Sequence, residues 1–340
     1  MSLLDQHQRP LRNLRVSVTD RCNLRCAYCM PEEEYGWLPK KDILTLEETA
    51  RLVEAFTSLG VRNLRLTGGE PLLRRDLPVL IELLAANEAI EDLALTTNGI
   101  LLAREADALQ RAGLQRISIS LDTLDPKRFE VLTRNDRLKD VLAGIERARE
   151  VGFGRTKIDT VVMRGTNDDE LVDLLEYGKR VEAEVRFIEY MDVGGATQWT
   201  PERVVSRAEM LESLGEHYGE VTAVDEVTAA PADRYRLPDG TVFGIISSTT
   251  QPFCGACDRS RLTADGTWYL CLYATQGKDL RAPLRAGASA EELAAILREG
   301  WGARTNRGAE DRLEGVDRTS WLASDELKQD PRLEMHTRGG

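Results

Sequence analysis

The stretch Leu14-Arg15-Val16-Ser17-Val18-Thr19-Asp20-Arg21-Cys22-Asn23-Leu24-Arg25-Cys26-Ala27-Tyr28-Cys29 decides how the rest of the chain is read. Its first five residues alternate and favour β structure, which predicts a strand delivering a cysteine loop at its C-terminal end. The loop holds three thiols in a C-x3-C-x2-C spacing, close enough to converge on one small inorganic centre. A closed zinc site wants four ligands, and iron–sulfur clusters are usually held by four thiolates. Three cysteines therefore borrow a distant ligand or leave one metal open for chemistry. A zinc loop is the plainer alternative, although this is not a usual zinc-ribbon spacing.

Outward from that loop, Thr45-Leu46-Glu47-Glu48 is a capping box that opens a helix, and Gly60 stops it. Further strands are predicted over 61–66, 92–96, 115–120, 157–163 and 184–191, with helices over 76–86, 101–112, 137–150 and 168–183. Strands alternating with helices predict an α/β fold with a parallel sheet, either doubly wound or curled into a partial barrel. The polar motifs fall just after strands: the cysteine loop, Gly68-Gly69-Glu70, Thr96-Thr97-Asn98, Ser120-Leu121-Asp122 and Met191-Asp192. That edge carries the active site of parallel barrels, which favours an enzyme.

After residue 192 the rhythm is lost. A short helix over 206–214, short antiparallel strands over 235–237, 242–247 and 267–272, and a final helix over 291–300 are expected. Residues 1–192 read as the barrel and 193–340 as an extension, with the polar tail from Ala303 lying over the surface.

A chain of 340 residues with 42% hydrophobic and 30% charged content suits one large soluble domain of the α/β-barrel type, or a domain plus a smaller extension. No apolar run approaches the roughly 18 residues of a membrane span, and Met1 to Pro10 has no signal-peptide core. A cytoplasmic location and no membrane partner are expected. The net charge of −12 argues against general nucleic-acid binding, so an anionic ligand must be captured by local arginines. The 6 Cys stand at 22, 26, 29, 254, 257 and 271, and a reducing compartment disfavours disulfides. Both trios point to metal.

In the second trio, Cys254-Gly255-Ala256-Cys257 is joined by Cys271 in a C-x2-C-x13-C pattern. A zinc knuckle is the alternative here, but His7, His217 and His336 have no ligand spacing to these thiols. Asp258-Arg259-Ser260-Arg261 follows directly. Two arginines on one side of an extended segment suit bidentate phosphate binding, with Arg15 and Arg65 as further cations. Gly68 and Gly69 allow close backbone approach, and Glu70 suits an ammonium group. Hydroxyls after the strands, at Thr96 and Ser120, either hold ribose or carboxylate or are plain turn residues. Lys157 and Arg186 lie on strands, and either face solvent or an anion inside the barrel.

The first loop, with an aromatic residue before its last cysteine, resembles the radical S-adenosylmethionine superfamily. The resemblance implies a [4Fe–4S] cluster whose free iron chelates the amino and carboxylate groups of S-adenosylmethionine. The pattern from about Leu14 to Leu272, some three-quarters of the chain, is more specific. Cys26-Ala27-Tyr28-Cys29-Met30-Pro31, Leu66-Thr67-Gly68-Gly69-Glu70-Pro71-Leu72, the second trio and the terminal Gly339-Gly340 together resemble the GTP 3′,8-cyclase family, that of molybdenum cofactor biosynthesis protein A.

That resemblance implies a partial, TIM-like (β/α)6 barrel whose open side is closed by a C-terminal α+β extension. It implies two [4Fe–4S] clusters, one on Cys22, Cys26 and Cys29 and one on Cys254, Cys257 and Cys271, the second offering a free iron to guanine. Arg15, Arg65, Thr96, Lys157, Arg259, Ser260 and Arg261 look like GTP contacts, and Arg186 stands near the second cluster. Tyr28, Gly69, Glu70, Ser120 and Met191 look like S-adenosylmethionine contacts. Gly339 and Gly340 resemble a tail that enters the active site and is required for turnover. Asn63 departs from the family, standing where some relatives carry a basic residue.

The implied reaction is the first step of molybdopterin biosynthesis. A 5′-deoxyadenosyl radical removes the C3′ hydrogen of GTP, the C3′ radical attacks C8, and a further electron and proton give (8S)-3′,8-cyclo-7,8-dihydro-GTP. The product passes to cyclic pyranopterin monophosphate synthase, an external donor supplies electrons, and a homodimer is compatible with the sequence. Two rivals are a peptide maturase with auxiliary clusters and a zinc-stabilised binding module. The arginine run and the small number of extra cysteines count against the first, and iron content separates the second.

Overall fold

In β1 (Asn13–Ser17) the alternation sends Leu14 and Val16 into the hydrophobic core, while Asn13 and Arg15 line a central cavity. The computed structural model describes residues 3–226, 229–315, 319 and 321–339. Parallel neighbours follow in order: β2 (Asn63–Thr67), β3 (Asp92–Thr97), β4 (Arg116–Ser120), β5 (Lys157–Val162) and β6 (Glu184–Glu189). The crossovers are α1 (Leu46–Ser58), α2 (Leu77–Ala85), α3 (Leu102–Arg111), the pair α4 (Pro126–Thr133) and α5 (Leu138–Glu150), and α6 (Leu171–Arg180). The capping box at α1 forms as expected: Glu48 N–H donates to Thr45 Oγ1 and Thr45 N–H to Glu48 Oε2. Sequence periodicity missed α4, which Asp125 caps through Arg128 N–H and Pro126 opens.

The extension supplies β7 (Thr222–Ala223), β8 (Asp233–Arg236), β9 (Val242–Ile246), β10 (Arg259–Leu262), β11 (Thr267–Tyr269) and β12 (Lys278–Asp279). All belong to one 12-stranded sheet in the order β12-β11-β10-β1-β2-β3-β4-β5-β6-β9-β8-β7. The expectation of antiparallel strands here holds only in part. β10 runs parallel to β1 and β9 parallel to β6, and the antiparallel hairpins lie outside them. The extension thus lengthens the parallel sheet at both edges, because each hairpin offers one strand to an exposed edge.

The result is an α/β fold on a partial, TIM-like barrel. No hydrogen-bonded ladder joins its outer edges among the described residues, so the open side is not closed by strand pairing. The tail departs from its expected place: Glu334, His336, Thr337 and Arg338 are buried. No helix among the described residues is long and apolar enough to cross a membrane.

Candidate active site

The inward-facing residues of this sheet surround a cavity of about 700 Å³, a size suited to a small-molecule ligand. Strand register arranges its cations. Arg15 stands opposite Arg261 on β10 and Arg65 on β2, so three guanidiniums lie in one row across adjacent strands. Arg65 Nη1 donates to Thr96 Oγ1 and Ser118 Oγ, both at 3.0 Å. Ser118 is in turn the register partner of Lys157. Burial lowers the pKa of Arg15, and the neighbouring Arg261, Arg65 and Arg259 lower it further. Burial, then Arg186 and Arg116, pushes Lys157 down to about 7. Lys157 forms no ion pair among the described residues. Like charges held together in a low-dielectric lumen are stabilised by an anion between them.

At the C-terminal ends of the strands, called here the upper end, Cys22, Cys26 and Cys29 line the cavity with Tyr28, Gly69, Ser120 and Met191. Two glycines fix the loop's height. A Cβ on Gly68 would lie 2.2 Å from Thr19 O, and one on Gly69 would lie 2.3 Å from Arg21 O. Gly69 and Glu70 N–H groups donate to Thr19 O and Arg21 O at 3.0 and 2.7 Å. The close approach predicted for these glycines is thus to the stem of the cysteine loop. The Glu70 carboxylate is not in the cavity lining. It accepts from Leu72 N–H, Thr97 Oγ1 and Asn98 N–H, and burial raises it to about 7. Tyr28 OH donates to Asp122 Oδ2 at 2.8 Å, and burial raises the Asp122 carboxyl to about 6. Met335 and His336 also line the cavity. No spacing in the sequence announces either.

The second trio lies at the lower end. Cys257 precedes β10, whose first residue pairs with Asn13, and the β10–β11 hairpin returns the chain so that Cys271 lies at the same end. The trios are therefore separated by about the length of β1, roughly 16 Å at 3.3 Å per residue. The cavity reaches down to Asp258 and Arg259, beside Cys257, but Cys254, Cys257 and Cys271 are not among its lining residues. Ser260 and Arg261 are buried and also outside the lining. Among the described residues, no three His, Cys, Asp or Glu side chains are grouped around a single metal ion.

The tail explains why Arg261 is screened. Gly339 O accepts from Arg15 Nη1 at 3.1 Å and also from Arg261 Nη1, which reaches Arg338 O at 3.1 Å as well. Arg338 Nη1 donates to Leu272 O at 2.8 Å, next to Cys271. Near the other end, Met335 and His336 line the cavity with Cys29, and the His336 backbone partly offsets the rise in the Cys29 thiol's pKa. The tail therefore spans from one trio to the other. Gly339 has φ 67°, and a Cβ there would lie 2.0 Å from Thr67 Cγ2. Gly340 lies outside the described residues.

Residues 16–178 match the model of the Radical SAM superfamily and residues 183–309 that of Molybdenum Cofactor Synthesis C. The chain is 55% identical over 340 residues to GTP 3′,8-cyclase 3 of Mycobacterium bovis, covering 99% of this chain and 90% of that protein. It is 49% identical over 314 residues to the GTP 3′,8-cyclase of Streptomyces coelicolor, covering 91% and 92%. Among solved structures, Streptococcus suis SuiB bound to S-adenosylmethionine has a TM-score of 0.61 and 16% identity, covering 86% of this chain and 69% of that one, a likeness of fold.

Fold, cysteine loop and family model together define a radical S-adenosylmethionine enzyme. More narrowly, the chain belongs to the GTP 3′,8-cyclase family, which carries out the first step of molybdenum cofactor biosynthesis. Membership implies a [4Fe–4S] cluster and S-adenosylmethionine. The upper trio fits the cluster. Burial raises Cys22 to about 11 and raises Cys26 and Cys29 too, and thiolate neighbours add to the rise at the last two. Such thiols become ligands when a positively charged centre sits among them.

Proposed function

We propose that this protein converts GTP to 3′,8-cyclo-7,8-dihydro-GTP, binding S-adenosylmethionine at the upper end of the lumen and GTP below it. The observation that carries the reading is the row of Arg261, Arg15 and Arg65 in register beneath a cavity-facing cysteine loop. When bound, the cluster and S-adenosylmethionine supply one-electron chemistry that delivers a 5′-deoxyadenosyl radical.

The chain's own residues do the rest. Arg15, Arg65, Lys157 and Arg259 offer charge-assisted hydrogen bonds to a triphosphate inside an acidic protein, with Thr96 as a neutral supplement, while Ser260, buried outside the lining, does not reach it. Arg261 joins them through the tail. Tyr28, Gly69, Ser120 and Met191 contact the cofactor, while Glu70 and Asp122 act one step back by fixing the loops that hold it. Burial of the lumen excludes water and holds the reacting carbon near its partner. Gly339 and Gly340 complete the site from the tail side.

The lower trio, on this reading, holds a second [4Fe–4S] cluster whose open iron meets guanine, with Arg186 nearby. Residues 1–192 carry the cofactor half and 193–340 the substrate half. An external donor reduces the clusters in the cytoplasm, a homodimer is compatible with the sequence, and a cyclic pyranopterin monophosphate synthase consumes the product.

An anaerobic assay with reduced protein, S-adenosylmethionine and nucleotides tests the reading. 5′-Deoxyadenosine formation should depend on GTP and not on ATP, CTP or UTP. Equal formation with any nucleotide, or with none, would sink the substrate assignment.

A further inference from the structure

Asp5, Arg9 and Arg304 form a knot at the lower end, with side chains 0%, 2% and 1% exposed. Arg9 Nε donates to Asp5 Oδ2 at 2.7 Å and Arg304 Nη1 reaches the same oxygen at 3.2 Å. Both guanidiniums then turn to the second cysteine group. Arg9 Nη1 donates to Cys254 O at 2.8 Å, Arg304 Nη1 to Cys257 O at 2.8 Å, and Arg304 Nη2 lies 3.5 Å from Cys257 Sγ. Trp301 fixes the pair from behind: Arg304 Cζ stacks 4.4 Å from its ring centroid, and its indole N–H donates to Arg9 O at 3.1 Å.

Two features are hard to explain as a mere fold staple. The knot buries two cations against one carboxylate, and an uncompensated buried charge is strongly destabilising. Arg9 Nη2 and Arg304 Nε are also buried without a hydrogen-bond partner among the described residues, where an unmade hydrogen bond costs about 1–3 kcal/mol. An anion bound by Cys254, Cys257 and Cys271 offsets the charge and offers sulfur acceptors to N–H groups on that side. Hydrogen bonds to cluster sulfurs and nearby charge also set a cluster's potential.

We propose that Asp5, Arg9 and Arg304 are the orienting clasp and counter-ion of a cluster on the lower trio. They are positioning residues, and the inference rests on the reading of that trio as a second [4Fe–4S] site. Reduction adds negative charge to a cluster, so a nearby cation raises its potential and a nearby carboxylate lowers it.

The full chain with Cys26→Ser, reconstituted anaerobically, isolates the lower site. It should hold about four irons. A potentiometric titration followed by electron paramagnetic resonance then reads the clasp. Arg304→Gln should shift the midpoint down, Asp5→Asn should shift it up, and Arg304→Lys should stay near the parent. An Arg304→Gln chain that folds but loses its iron, while Arg304→Lys keeps it, gives the same answer through loading. Shifts of one sign in both Arg304→Gln and Asp5→Asn, no shift with iron retained, or loss of folded far-ultraviolet dichroism in Arg304→Lys would overturn the clasp. If the parent chain binds no iron while Cys254, Cys257 and Cys271 are intact, the second-cluster reading fails first, and the clasp with it.

Discussion

The two ends of the lumen are built on opposite plans. At the upper end three cysteines come from one loop, residues 22–29, propped on glycines and lining the cavity directly. At the lower end they come from two segments that a hairpin brings together, and arginines from both termini of the fold grip them. A contiguous loop needs only local geometry. A split site needs long-range contacts, and here those contacts are ionic and buried. The tail ties the ends together, with His336 lining the cavity alongside Cys29 and Arg338 donating to Leu272 O.

The widest separation should come from the cysteines themselves. Cys26→Ser should reduce 5′-deoxyadenosine formation to background and bound iron by about half. Cys271→Ser should lose a similar share of iron yet keep S-adenosylmethionine binding, with cyclised product alone falling to background. Isothermal titration and product chromatography on the two variants check this. Identical losses in both would erase the division of labour between the ends.

The tail comes next. Gly339→Ala places a methyl 2.0 Å from Thr67 Cγ2 at φ 67°, and the left-handed backbone alone costs an L-residue about 1–2 kcal/mol. Turnover should fall by about 10- to 100-fold, with faster proteolysis of the tail. Thr67→Ser removes the clashing methyl, and the double variant should regain part of the lost rate. A double variant no better than Gly339→Ala would place the cause outside this contact.

What could be read in advance follows the same division. The upper trio, the alternation of strands and helices, and the capping box at Thr45 are local patterns, and each was legible. The inward row of Arg15 and Arg65 was visible as charge on strands, but its direction depends on which strand face the core helices cover. The parallel placement of β9 and β10 was not legible, since nothing local states which edge a hairpin joins. The burial of Glu334, His336, Thr337 and Arg338 was not legible locally, because these polar residues read as solvated; only the family resemblance placed the terminal glycines in the active site, where Arg15 and Arg261 hold the Gly339 carbonyl. The grip of Arg304 on Asp5 was invisible for the same reason, since the two stand 299 positions apart, and the local Asp5–Arg9 pair gives no sign of it.

A subtler difference lies in pH. Lys157, held near 7 by burial and by Arg186 and Arg116, is mostly charged below pH 7 and mostly neutral above it. A triphosphate binds the charged form, so GTP affinity should weaken as pH rises from about 7 to 9, by at most about tenfold per unit for one coupled proton. Lys157→Arg, charged throughout, should flatten that slope, while S-adenosylmethionine affinity at the upper end keeps its own pH profile in both proteins. Titration of GTP into S-adenosylmethionine-free protein across this range provides the measurement. A slope unchanged in Lys157→Arg would remove Lys157 from the phosphate site.

The smallest effect should fall on Tyr28, one of the upper loop's side-chain anchors beside Asn23, which accepts from Asn98 Nδ2 at 2.8 Å. Tyr28 OH donates to Asp122 Oδ2, and Asp122 Oδ1 also accepts from Val161 N–H at 2.9 Å, so Tyr28→Phe leaves the carboxylate partly satisfied. The expected loss is about 1 kcal/mol, a fall in Tm of about 2 °C for a chain of this size, with iron content unchanged. Cys26 and Cys29 are held by the backbone bonds Ala27 N–H to Leu132 O and Cys29 N–H to Cys26 O, which the substitution leaves in place. If Tyr28→Phe instead sheds the upper cluster, the loop depends on one hydroxyl as heavily as the lower trio depends on its ionic clasp, and the contrast between a self-supporting site and a gripped one fails.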